Sequence, residues 1–344
     1  MSEEDPLYTC RNAYYLGNFA VSLLRVGPPL PSSPLLSTNP RLLLLAPRPP
    51  QQEALADAET IPKPKSEALR IEKEVLVARA LIGQGGAARV AAGVRDDAPA
   101  PMQAVKLFAQ LALAPPGPGP ARSALLEALH ALVEGAEAAA AGTASTPAAA
   151  AAAPLGQAIA ATAYIAEGAL ERALRAVRSE ATMELLALAV QAYLRLDRPD
   201  LAEAAVRKLE ARDDESALYM LSAAHTYAVL GGDKAKEAVL ILKDVLDRYG
   251  EGAGPAAHNG LVAAHLAARN YGAAERVLAE AAAKDPHFPD TLANTVTLAY
   301  LQGKPAAAEK ALAVLRREAP GHPALAALAI GEGSLDRVEA SFSS

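Results

Sequence analysis

Four short segments of this chain share one grammar, and their spacing admits very few folds. They are Pro199-Asp200-Leu201-Ala202-Glu203-Ala204, Lys234-Ala235-Lys236-Glu237-Ala238, Asn270-Tyr271-Gly272-Ala273-Ala274 and Lys304-Pro305-Ala306-Ala307-Ala308. With Leu201, Ala235, Tyr271 and Pro305 taken as equivalent, the steps are 34, 36 and 34 residues, the period of a tetratricopeptide helical hairpin. A small residue follows three places later each time: Ala204, Ala238, Ala274 and Ala308. That position is expected where the two helices of a hairpin cross closely, since a bulkier side chain would push them apart. Pro286 and Pro320 repeat the period, and each is placed to end a second helix, because proline lacks an amide hydrogen and clashes with the preceding turn.

Composition agrees with that pattern. Of the 344 residues, 51% are hydrophobic, mostly Ala and Leu, and only 4% are aromatic; alanine is the strongest intrinsic helix former. The fold class expected is all-α: a tetratricopeptide-like α-α superhelix, a right-handed solenoid of helical hairpins that grows without needing a second core. A net charge of −6 with no dense Lys/Arg run argues against nucleic acid as a partner. One cysteine, Cys10, forms no internal disulfide and fits a reducing compartment. The acidic start, Met1-Ser2-Glu3-Glu4-Asp5, is unlike a secretory signal. No apolar run approaches the roughly 20 residues that cross a bilayer. The chain reads as cytosolic, reaching membranes only through a partner.

Along the chain, residues 1–133 read as tetratricopeptide-like hairpins interrupted at 21–52, residues 134–154 as an Ala-rich low-complexity linker, and residues 155–344 as a solenoid closed by a pair of capping helices. Segment 21–52 is proline-dense and aperiodic. Removing it joins Gly17-Asn18-Phe19-Ala20 to Glu53-Ala54-Leu55, which restores a small residue three places after Phe19. Val21-Ser22 and Gln52 can be encoded by GTGAGT and CAG, the two ends of a common intron. The segment is therefore read as a retained intron or a gene-model error, the alternative being a genuine disordered insertion; transcript sequencing across the junction decides between them.

The strongest enzymatic signal is a mimic. Ile82-Gly83-Gln84-Gly85-Gly86-Ala87-Ala88-Arg89-Val90, followed by Ala104-Val105-Lys106, resembles a kinase glycine-rich loop with its lysine. No His-Arg-Asp or Asp-Phe-Gly follows, and phosphoryl transfer needs both; a hairpin turn explains the glycines. His258 and His265 are too far apart for an i, i+4 metal chelate, and no Cys or paired carboxylate completes a set. No catalytic, cofactor or metal residue is assigned. The recurring Glu203, Glu237, Glu275 and Glu309 read as a solvated outer face. For partner binding, the inner positions of the first helices matter most, and the residues singled out there are Tyr193, Tyr227 and Asn259. A charged clamp of the chaperone-tail kind would need a lysine beside Asn259, and none joins it. The expectation is a mainly apolar groove.

Several longer strings then carry a resemblance. They are Asp5-Pro6-Leu7-Tyr8, Asn12-Ala13-Tyr14-Tyr15-Leu16-Gly17-Asn18-Phe19, Pro101-Met102-Gln103-Ala104-Val105-Lys106-Leu107 and Leu194-Arg195-Leu196-Asp197-Arg198-Pro199-Asp200-Leu201-Ala202. Asp213-Asp214-Glu215, Gly231-Gly232-Asp233-Lys234, Asn259-Gly260, Ala274-Glu275-Arg276-Val277-Leu278, Pro289-Asp290-Thr291-Leu292-Ala293-Asn294 and Gly303-Lys304 complete the set. In combination the chain resembles the coatomer epsilon-subunit family of the COPI vesicle coat, apart from the proline-rich insertion and the alanine linker. The resemblance implies a non-enzymatic coat subunit that grips the coatomer alpha subunit within the heptamer. It also implies Arf-dependent recruitment to Golgi membranes and transport from Golgi to endoplasmic reticulum and between cisternae. The competing reading is a general tetratricopeptide adaptor of the co-chaperone type.

Overall fold

The computed structural model describes Arg11, Tyr15 and residues 66–115, 119–141, 147–249 and 254–342. All regular structure among them is α-helical. Contacts divide the chain into two compact units, one holding Arg11, Tyr15 and residues 66–219, the other residues 220–342.

The first unit comprises α1 (Glu67–Gly83), α2 (Ala87–Gly93), α3 (Ala100–Leu113), α4 (Pro120–Ala141), α5 (Pro147–Glu167), α6 (Leu170–Ala176), α7 (Met183–Arg195) and α8 (Pro199–Glu210). Each helix packs on the next. In addition α1 meets α3, α3 meets α5 and α5 meets α7. Contact between alternate helices is what stacked hairpins require, because each hairpin covers its apolar face with the next one. The division between units falls inside α9 (Ala217–Leu230). The second unit continues with α10 (Gly232–Tyr249), α11 (Gly254–Ala267), α12 (Tyr271–Lys284), α13 (Pro289–Leu301), α14 (Pro305–Glu318) and α15 (Pro323–Phe342). Within it α11 pairs with α12, α13 with α14, and α11 also meets α13. The fold is all-α and tetratricopeptide-like, as its spacing predicts.

One turn geometry recurs. Gly85, Gly168, Asp197, Arg269 and Gly303 adopt φ of +88°, +77°, +57°, +57° and +71°. In each case the next residue's amide donates to the carbonyl five positions back: Gly86 to Leu81, Ala169 to Tyr164, Arg198 to Tyr193, Asn270 to His265 and Lys304 to Ala299, all at 2.9 Å. This is the Schellman closure of a helix, whose left-handed residue glycine adopts without strain. The Gly85-Gly86 pair of the kinase mimic is one of these hairpin turns.

The turns also correct the register read from sequence. The fourth residue of each following helix, Ala202, Ala274 or Ala308, donates to the carbonyl of the residue before the helix, and all three are fully buried. Ala235 does the same in α10, and Ala238 is buried beside it. Ala204 is only half-buried, so Ala202 takes the crossing position in α8. Leu201 is the third residue of its helix whereas Tyr271 and Pro305 are the first of theirs.

Two segments differ from expectation. Residues 134–141 and 147–154, expected to be linker, lie inside α4 and α5. Alanine continues a helix readily once flanking residues anchor it, and Leu129, Val133, Ala158 and Ile159 are buried on either side. The chain's last helix is single, Pro323–Phe342, where a pair was expected; Gly331 and Gly333 stay helical within it. Pro286 and Pro320 follow the ends of α12 and α14, as read from their spacing.

Helix ends in the first unit are satisfied by arginines. Arg122 Nη1 donates to the carbonyls of Leu111 and Ala114 at 3.1 Å and of Pro115 at 3.3 Å, closing α3, while its remaining face pairs with Glu167. Arg195 donates to the Ile165 carbonyl near the end of α5. Orphan carbonyls at a helix C-terminus carry partial negative charge, so a cation there satisfies both hydrogen bonding and electrostatics.

Candidate partner-binding residues

The two units carry the sequence-nominated residues separately. Tyr193 belongs to the first unit, in the last turn of α7, and is half-buried. Its carbonyl accepts the Arg198 amide, so its backbone is part of a hairpin turn while part of its ring stays open to solvent.

Tyr227 belongs to the second unit, near the end of α9, and is mostly buried. Lys234, from the first turn of α10, places its Nζ 4.5 Å from the ring centroid. An ammonium over an aromatic face is attracted by the ring quadrupole. The same Lys234 pairs with Glu237 at 2.9 Å. Tyr227 thus fastens its own hairpin and leaves a narrow accessible rim.

Asn259 is wholly buried in α11. Its Nδ2 donates to Thr291 Oγ1 at 2.8 Å and to the Pro255 carbonyl at 3.0 Å, and its Oδ1 accepts from Asn294 Nδ2 at 3.0 Å. The inner position assigned to it from register is therefore filled by neighbouring helices, and its amide faces α13.

The structure also brings together residues that sequence reasoning passed over. Arg79 and Glu184, on α1 and α7, form an ion pair of 2.7 Å with both side chains almost fully buried. Tyr15 donates to the other Glu184 oxygen at 3.3 Å. Burial, and next the Glu184 charge, push the Tyr15 phenol well above its ordinary value. Arg11 holds Glu72 of α1 with two bonds, the Nη2 one at 2.8 Å. The available signal was a charged residue inside an apolar run, since Val75, Leu76, Ala78, Ala80 and Ile82 surround Arg79. A cavity of about 430 Å³ opens in the same unit, lined by Ile71, Pro101, Leu132, Val133 and Gly156 with Glu67 at its edge.

Among the described residues, no group of three or more His, Cys, Asp or Glu is placed to hold a metal ion. His322, for example, caps a helix: its Nδ1 accepts the Ala324 amide at 3.2 Å, so its Nε2–H donates to Asp290 at 3.0 Å. Likewise no described helix is long and apolar enough to cross a membrane.

Comparison with known proteins gives the family. A model described as the coatomer epsilon subunit matches residues 51–343. Coatomer subunit epsilon-1 of Arabidopsis thaliana is 30% identical over 275 residues, covering 79% of this chain and 86% of that protein. Coatomer subunit epsilon-2 of Oryza sativa subsp. indica is 30% identical over 269 residues, covering 77% and 83%. The coatomer subunit epsilon of Dictyostelium discoideum is 31% identical over 152 residues, covering 43% and 49%. With stacked helical hairpins and a family match across most of its length, this chain belongs to the coatomer epsilon-subunit family.

Proposed function

We propose that the chain is a non-enzymatic structural subunit of the COPI coat that binds and stabilises the coatomer alpha subunit within the heptamer. The match over residues 51–343 carries this reading. Its setting is the cytoplasm and, peripherally, the Golgi membrane and coated vesicles. The coat is recruited there through Arf and moves cargo from Golgi to endoplasmic reticulum and between cisternae. The accessible edges of Tyr193 and Tyr227 are offered as contact points; the Tyr227 ring is already held by Lys234 of its own hairpin, so that little of its side-chain entropy is lost on binding. A chaperone-tail clamp is disfavoured because Asn259 spends its amide on its own neighbours.

Affinity capture of the full chain from cells, followed by mass spectrometry, tests the proposal. Recovery of the other coatomer subunits in stoichiometric yield is the expected result; recovery of chaperones alone would overturn it. Tyr193→Ala and Tyr227→Ala test the contact points. Undiminished capture of the alpha subunit by both folded variants would remove these residues from the interface.

A further inference from the structure

The buried amide of Asn259 is a costly choice for the interior of a helix. Asparagine is a weaker helix former than leucine, and its amide must find partners when removed from water. A leucine would fill an apolar seam with neither demand. In this protein both N–H groups and the oxygen of Asn259 are engaged, and two of the three bonds, those to Thr291 and Asn294, join α11 to α13. Thr291 is itself almost fully buried.

The same seam is otherwise built from residues that tolerate sliding. Ala256 and Ala263, on the Asn259 side of α11 by helical spacing, are buried, as is Leu298 of α13, and Val262, Leu266 and Leu298 share one apolar cluster. Apolar contact is non-directional. Two Ala/Leu surfaces displaced by one helical turn, about 5.4 Å, would still bury similar area. Hydrogen bonds are different, because they fail within a few tenths of an ångström. A displaced seam would keep the bond to Pro255 but leave the other Asn259 N–H and its oxygen buried without their α13 partners.

We propose that Asn259, Thr291 and Asn294 are positioning residues that fix the register of α11 against α13, and thereby the surface the second unit presents to its coat partner. The partner half of this statement rests on the coat-subunit reading above.

The test compares Thr291→Val, which keeps the shape and removes the acceptor, with Thr291→Ser, which keeps the hydroxyl. A third variant, N259L/T291V/N294L, replaces the whole network by apolar groups. Each is studied as the full chain at a temperature where unfolding is negligible. The readouts are amide hydrogen exchange in α11 and α13 and affinity for the purified coatomer alpha subunit. The loss of one buried partner predicts exchange about tenfold faster and binding about tenfold weaker in Thr291→Val. Thr291→Ser should match wild type in both, and the triple variant, if folded, should share the losses. A purely stabilising role would leave the affinity of the fully folded variants unchanged, and unchanged exchange and affinity in Thr291→Val would overturn the proposal. Failure of the wild-type chain to bind the alpha subunit would instead refute the coat-subunit reading, and the exchange data alone would then decide the register claim.

Discussion

Arg79 and Glu184 are a pair that neither partner can leave. Their side chains are 4% and 6% exposed, so removal of one strands a charge away from water. Arg79→Met is expected to destabilise the chain by about 3–5 kcal/mol in urea unfolding, whereas adding Glu184→Leu to it should recover part of that loss, since a matched apolar pair avoids the desolvation of two ions but takes the acceptor from the buried Tyr15 hydroxyl. A second buried group titrates. His265 sits in α11 with its Nδ1 buried and without a hydrogen-bond partner among the described residues. Burial first, then Lys243 and Arg276, lower its pKa from the ordinary 6.5. Between the lowered value and 6.5 the unfolded imidazole binds a proton that the folded one refuses. This contribution to stability is therefore whole above pH 6.5 and declines as pH falls toward the lowered value. Urea midpoints measured downward from pH 7.5 should show the decline, and His265→Leu should flatten it. Neither site was legible from residue type alone: a charge in an apolar run looks the same whether it snorkels to water or meets a partner 105 positions away, as Arg79 does.

At the scale of elements, the hairpins were legible because turn and period are local properties. Gly303-Lys304 and Gly85-Gly86 announce a left-handed residue, and Pro199 and Pro305 mark first helical turns. Asp197, like Arg269, adopts the same backbone without glycine, so no glycine marked the turn before α8, and alignment by residue class chose Ala204 over Ala202. Because Gly303 sits at φ +71° with nothing within 4 Å of an added Cβ, Gly303→Ala meets backbone strain and no clash. It should cost about 1 kcal/mol by chemical denaturation. Ala274, fully buried against Val262, Leu266, Leu278 and Leu298, has no such freedom. Ala274→Phe is expected to destabilise by about 1–3 kcal/mol through overpacking, read as a lower thermal midpoint. The helical course of residues 134–141 and 147–154 was hidden for a different reason. Polyalanine shows no amphipathic face, and its anchoring comes from buried neighbours such as Val133 and Ile159 at either end. Several strings that carry the family resemblance turn out to be these joints: Asp197-Arg198, Gly231-Gly232, Asn259, Thr291, Asn294 and Gly303-Lys304 form turns or the bonds between α11 and α13.

For the whole molecule, the family match begins at residue 51, at the end of the proline-dense stretch 21–52. The opening strings at 5–8 and 12–19 fall, apart from Tyr15, outside the described residues. A chain lacking residues 21–52 is expected to copurify with the same coat subunits as the full chain; loss of that association would place the segment in the working protein. The bond between Tyr15 and Glu184 spans 169 positions, and that distance has a consequence during synthesis. A ribosome adding about 5–20 residues per second needs roughly 8–34 s to travel from one to the other. Through that interval Tyr15 exists without the carboxylate it bonds, and Arg79, made later, waits through the last 105 positions of it. Final closure of this region thus waits for translation of α7, leaving an early window in which holding chaperones would find the chain open.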